Sequence, residues 1–279
     1  MGNMISIFTH PAFLGNRHPK LTKELTTLRI SSRIRGDEIA EYIGAKLNPK
    51  DGFENDVCIH VKPKYLEKVK DGHWIDYLDS RNLIYFLKER PLVNVIAHSQ
   101  CSYDYLTENL TNKVVLIPSH HINIEGFKRE RTEVTTVGYI GAASPEAFKE
   151  YAEIGERLKA VGLDFKACFG FKTRQDAIDL YKGIDIFIIG DLPKADTHQK
   201  APTKIINAGS FGIPTIACPV IGYAEIEDSY IHASSLDEMI SEAQKLKDKK
   251  VYDGWSNKAY AMAERYHISK IAELYKKLV

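Results

Sequence analysis

The sequence predicts an α/β protein of two facing domains, each built on a parallel sheet. Short β-branched runs alternate with longer amphipathic stretches over the whole chain. The runs are almost continuously apolar, which suits strands buried on both faces. A chain of 279 residues holds more of these runs than one compact sheet takes, and about 150 residues per domain points to two domains.

The strand candidates fall into two series. The first is 4–8, 56–61, 74–78, 93–98 and 114–117; the second is 134–140, 165–169, 184–189, 214–217 and 230–232. Apolar residues at i, i+3 and i+4 mark helices over 37–47, 101–110, 146–161, 175–182 and 236–246. Residues 251–279 read as two helices broken near His267. The segment NIEGFKRERTE, 123–133, is polar, charged and without period, and reads as a linker. The expected organisation is an N-terminal domain over 1–122, the linker, a C-terminal domain over 134–262, and a final helix, 263–279, packing back on the N-terminal domain.

Lys plus Arg number 38 and Asp plus Glu 37, so the net charge is +1. That balance gives no long-range field for a nucleic-acid duplex or an anionic membrane, and leaves only a local basic groove as a route to nucleic acid. The four cysteines form no C-x-x-C pair and read as free thiols in a reducing, cytoplasmic setting. The N-terminus lacks the charged and apolar regions of a signal peptide. No apolar run reaches membrane-spanning length. The lysine-rich tail helices allow peripheral contact with an anionic surface. A P-loop, a G-x-G-x-x-G after the first strand and a G-x-S-x-G elbow are all missing. No His, Cys, Asp or Glu spacing suggests a metal, and none is expected.

In open α/β sheets ligands bind beyond the C-terminal ends of the strands, so the residues that follow strands come under scrutiny. The strongest signal is HQKAPTKIINAGSFGIPTIACPVIGYAEI, 198–226. Pro202 opens a helix, Gly212 ends it, and a strand follows at Thr215–Ala217. Lys204 and Asn207 share one face near the start of that helix. Free N–H groups, the helix dipole and the lysine charge make a place for a diphosphate. In the N-terminal half, Ser31 to Asp37 (SSRIRGD) sets Arg33 and Arg35 before a helix, as anion or acceptor contacts. The alternative there is a pair of solvated arginines facing Asp37 and Glu38. Asp79 ends a strand and faces the expected cleft, while Asp76, inside its run, reads as structural.

The motif KIINAGSFGIPTIA resembles the helix-Gly-x-Pro-strand segment of retaining glycosyltransferases of the GT-B fold, with two facing Rossmann-like domains. GYAEI (222–226), LYKGIDIFII (180–189), VVLIPSHHIN (114–123) and VTTVGYIGA (134–142) resemble further segments of that family, in its order. The resemblance covers roughly residues 93–240 and is weak in the N-terminal third. It implies transfer of a sugar from a nucleotide diphosphate sugar to an acceptor hydroxyl, with no further cofactor. Lys204, with Thr203, would contact the donor diphosphate, and residue 207 would sit near the donor ribose. Gly141 and Ala142 would line the loop under the phosphates, and Gly222 and Tyr223 would lie beside the sugar. Lys204 and Asp79 are the catalytic candidates, and the resemblance, in which the loop after the first strand faces the cleft, adds His10.

The departures are specific. The family's Glu-x7-Glu pair falls on Gln199 and Asn207, which carry no charge. The basic residues usual after the first C-domain strand are missing from GAASPEAF, with Lys172, Arg174 and Lys200 as substitutes. Two other functions therefore stay open: a non-catalytic glycosyltransferase-like binding subunit, and a nucleotide-sugar epimerase of the same fold. The default acceptor is a glycan or glycolipid, and a hydroxymethylated DNA base is the alternative.

Overall fold

The computed structural model describes residues 4–9, 32–63, 65–78, 83–128, 130–141, 144–169, 173–190 and 200–279. They form two compact units. The first takes the described chain up to His120, residues 200–201 and the C-terminal segment Tyr266–Val279. The second takes the described chain from His121 to Gly190, and Pro202–Arg265.

The first unit holds strands β1 (Ile5–Thr9), β2 (Lys46–Leu47), β3 (Val57–Val61), β4 (Trp74–Asp76), β5 (Asn94–Ala97) and β6 (Val114–Leu116). Their order is β2-β1-β3-β4-β5-β6, and every neighbouring pair is parallel. The described helices are α1 (Glu38–Ile43), α2 (Leu83–Glu89), α3 (Gln100–Asn109) and, from the C-terminal end of the chain, α9 (Ile268–Lys276). Register sets the two faces of this sheet. Phe8 stands beside His60, His60 beside Ile75 and Ile75 beside Val95, so these four share one face. Leu83, Leu87 and Leu106 of α2 and α3 pack with Ile75 and Val95 there. Helices α1 and α9 pack against each other. A turn of π-helix, Arg33–Asp37, leads into α1. It runs so close to β1 that a Cβ on Gly36 would meet Thr9 Cγ2 at 2.4 Å.

The second unit holds β7 (Thr136–Gly141), β8 (Asp164–Phe169), β9 (Ile186–Ile189), β10 (Thr215–Ala217) and β11 (Ile231–His232), in the order β11-β10-β9-β7-β8 and again parallel. Its helices are α4 (Pro145–Ala160), α5 (Arg174–Lys182), α6 (Thr203–Ser210), α7 (Leu236–Lys245) and α8 (Lys249–Ala263). Residues 123–128 and 130–133 belong to this unit. Buried Arg131 donates to Asp185 Oδ1 (3.3 Å) and to the Ile184 carbonyl (2.7 Å), and Asn123 Nδ2 donates to the Ser210 carbonyl (2.7 Å).

The two parallel sheets are the α/β class the sequence predicts. Apolar runs locate the strands to within about two residues, the usual uncertainty of an element's end. One helix boundary needs correction. The stretch 37–47 splits, because Gly44 takes a left-handed φ of 71° and ends α1, after which Lys46–Leu47 pairs with β1 as a short strand. All four cysteines are free thiols.

Helices α6 and α8 approach so closely that a Cβ on Gly209 would lie 2.7 Å from the Ala259 carbonyl oxygen. Backbone cannot yield as a side chain does. Gly209→Ala is therefore expected to destabilise the fold by about 1–3 kcal/mol, the usual cost of overpacking. A urea titration with an unchanged midpoint would refute the close packing of these helices.

Candidate functional site

The second sheet reverses its direction of strand addition between β7 and β9. From β7 the chain steps to β8 on one side, then crosses back to β9 on the other. The crevice beyond the C-terminal strand ends at such a switch point is where open α/β sheets hold ligands. Gly141 is the last residue of β7, and Gly190 follows β9 directly. Helix α6 presents its first turn, with Lys204, to β7.

Lys204 Nζ donates to Tyr139 Oη at 3.0 Å and lies 4.7 Å from the centre of that ring. Tyr139 is itself fixed. Its ring stacks on Tyr151 with centroids 3.7 Å apart, and Tyr151 Oη accepts the Gly190 N–H at 3.0 Å. Only glycine fits at the end of β7, because a Cβ on Gly141 would come within 2.0 Å of Tyr139 Oη. The ammonium donates to the phenol oxygen, so the phenol keeps its own hydrogen for another acceptor. Among the described residues none takes it. The N-cap of α6 is Pro202, which has no side-chain acceptor to offer the first-turn N–H groups. A positive charge and an O–H donor thus meet at the end of β7, in the first turn of a helix whose N-cap offers no side-chain acceptor. This is chemistry for an anion with several oxygens, above all a phosphate.

Lys204 and Gly141 both border Tyr139 Oη, and Thr203 is the first residue of α6. Asn207 points elsewhere: it is buried, and its Oδ1 accepts the Ile122 N–H at 3.0 Å. Arg174 is held by Glu125 at 2.7 and 2.9 Å and by the Ile122 carbonyl, and its hydrogen bonds keep the Glu125 carboxyl below the usual range. Gly222 and Tyr223 are buried in the 3₁₀ run Ile221–Ser229, where Tyr223 meets Tyr230 edge to face at 5.8 Å. Lys200 belongs to the first unit. His10, Asp79, Ala142, Lys172 and Gln199 lie outside the described residues.

The arginine pair of the first unit differs from both readings of the sequence. Arg35 is 1 % exposed, so it is neither an anion mouth nor a solvated surface charge. Its Nε donates to Asp76 Oδ2 at 2.5 Å, deep beneath the turn of π-helix. Arg33 is half-buried and pairs with Glu38 at 3.0 Å. His98 and His120 at strand ends are buried and bonded to the Tyr77 and Ile34 carbonyls. Sequence reasoning passed over Tyr139. Its only signal is a hydroxyl in an otherwise apolar strand that ends in glycine. Among the described residues no cluster of His, Cys, Asp or Glu could hold a metal ion. No described helix is long and apolar enough to cross a membrane.

No protein-family model matches the sequence, and no curated protein does. Solved structures do match. A glycosyltransferase from Rickettsia africae superposes with a TM-score of 0.64 at 12% identity, covering 100% of this chain and 99% of that one. Anabaena HepE in complex with UDP and glucose gives 0.59 at 14% identity, covering 99% of both chains. The fold is GT-B-like. A UDP-forming trehalose-phosphate synthase from Burkholderia vietnamiensis matches at 0.56 and 8% identity over 80% of this chain and 74% of that one. The GtfA/B complex matches at 0.52 and 13% identity; this chain is covered to 83% and spans 56% of that chain. In the GT-B-like frame the segments that carry the sequence resemblance fall on β6, β7, the end of α5 with β9, α6 with β10, and the 3₁₀ run after β10.

Proposed function

We propose that the chain is a glycosyltransferase that moves a sugar from a nucleotide diphosphate sugar to an acceptor hydroxyl, with retention at the anomeric carbon. One observation carries the reading: the Lys204 ammonium hydrogen-bonded to Tyr139 Oη against Gly141, at the switch point of a GT-B-like sheet. Breaking the sugar–phosphate bond loads negative charge onto the departing diphosphate. Lys204, the phenol O–H of Tyr139 and the first-turn N–H groups of α6 stabilise that charge, and being fixed in advance they need little reorganisation. A divalent ion is not needed for this step. A nucleotide diphosphate sugar as donor agrees with HepE, whose structure holds UDP and glucose. The favoured acceptor is a glycan or glycolipid.

The test is thermal unfolding with UDP, GDP, ADP, CDP, TDP and their common sugar conjugates. A ligand at 100 times its dissociation constant stabilises the native state by about 2.7 kcal/mol. One nucleotide is expected to raise the melting temperature clearly, and its sugar conjugate to be consumed once an acceptor is supplied. No shift across the panel would overturn the proposal. A second reading, a binding subunit without catalysis, is favoured by Asn207, whose amide oxygen serves the Ile122 backbone. Donor turnover above background excludes that reading.

A further inference from the structure

Among the described residues, the face of the first sheet that bears Phe8, His60 and Ile75 is covered unequally. Helices α2 and α3 lie over its β4–β6 side. Over β1 and β3 the described residues of the connections 48–56 and 62–73 carry no α-helix, only the 3₁₀ turn Leu66–Lys68. Between these connections lies a pocket of about 680 Å³. That is within the range of roughly 300–1,000 Å³ typical of small-molecule sites.

The inventory of its walls narrows the ligand. The polar side chains on the floor are already bonded to one another. Thr9 N–H donates to Asn48 Oδ1 (2.8 Å), and Asn48 Nδ2 donates to Thr9 Oγ1 (3.2 Å). His73 Nδ1 accepts the Lys70 N–H (3.3 Å), so that nitrogen is unprotonated and His60 Nε2–H donates to it (3.0 Å). Burial holds His60 down to about 4 and lowers His73 as well, so both rings are neutral at pH 7. The remaining floor is aromatic: Phe8 stacks on His60 (5.0 Å) and meets Phe53 edge to face (5.1 Å). At the rim stand Lys50, Lys68 and Lys70, all exposed, with Glu67 as the acid among the lining residues. None of the three lysines makes an ion pair among the described residues. The backbone is strained here too. Asn48 and Lys62, which flank the pocket, are the two described residues other than glycine with positive φ, 48° each.

A sugar would bring hydroxyls that each need a partner, and the floor has few to spare. An apolar body ending in a doubly charged anion fits both the rings and the net rim charge. We propose that this pocket binds a phosphate monoester of an apolar chain, the chain lying on Phe8 and Phe53 and the phosphate among Lys50, Lys68 and Lys70. This stands apart from the nucleotide-sugar reading, since it uses none of the same residues.

Titration calorimetry of the full chain with octyl phosphate tests it, with inorganic phosphate, octanol and glucose 6-phosphate as comparisons. Octyl phosphate is expected to bind at least about ten-fold more tightly than each of the three. The triple change Lys50→Gln, Lys68→Gln and Lys70→Gln alters only exposed side chains. It is expected to weaken octyl phosphate by about ten-fold or more and leave the ligand-free melting temperature unchanged. Phe53→Ala should weaken it as well. Vesicles carrying phosphatidic acid displace octyl phosphate if the ester is a membrane lipid, and leave it bound if the ester is free in solution. Glucose 6-phosphate binding as tightly as octyl phosphate, or undiminished binding in the triple variant, would overturn the proposal.

Discussion

Lys204→Ala is expected to abolish most nucleotide-dependent stabilisation and nearly all sugar transfer while the fold persists. The side chain is half-buried, and its one described hydrogen bond is to Tyr139 Oη, so its removal leaves a small gap rather than a hole in the core. A hydrogen bond to a charged group is worth about 1.5–3 kcal/mol, which is roughly 10–100-fold in nucleotide affinity. The loss in turnover should be larger, on the order of 100–1,000-fold, because the charge on the diphosphate grows as the glycosidic bond breaks. Tyr139→Phe separates the two partners. It keeps the stack on Tyr151 and removes only the hydroxyl, so Lys204 loses its anchor and the phosphate loses an O–H donor. If the two groups act together, the double variant should be little worse than Lys204→Ala alone. Measurement of kcat/KM for the four proteins completes the cycle. Full activity in Lys204→Ala would remove α6 from the site.

What was legible in the sequence follows from where the forces are local. Strands β3, β5 and β9 were visible because both faces of a parallel sheet are buried, and the runs DVCIHV, VNVIAH and IDIFII show it directly. Strand β2 was hidden, since two residues carry no period and their pairing with β1 is non-local. Lys204 was legible because a lysine just after Pro202 on an amphipathic helix is a local pattern. Its partner was not. Tyr139 precedes Lys204 by 65 positions, and only the parallel sheet brings the two together. The same holds for Asn207. The helix pattern showed its face, and only the fold showed that the Ile122 N–H takes its oxygen.

Arg35 is the sharpest instance, and it yields the second large effect. Asp76→Ala is expected to destabilise the protein by about 3–5 kcal/mol, because it leaves a buried guanidinium without its counter-charge. Both groups are essentially inaccessible, at 1 % and 0 % exposure, and 41 residues separate them. Burial works against the Arg35 charge, but the Asp76 carboxylate opposes it, and the Arg35 pKa stands above the ordinary value. Tyr275, from α9, is buried, and its hydroxyl has no hydrogen-bond partner. The pair is incompletely satisfied: Arg35 Nη2 and Asp76 Oδ1 are buried with no hydrogen-bond partner. Its Coulombic gain therefore has to overcome desolvation with only the Nε–Oδ2 bond and a 3.3 Å contact from Nη1 to Ser119. Removing both charges should cost far less than removing one. Arg35→Met with Asp76→Leu is expected to recover most of the stability lost in Asp76→Ala, as apolar replacements of buried pairs often do. Urea denaturation of the two variants measures this. A double variant as unstable as the single one would mean that the pair contributes more than its desolvation costs.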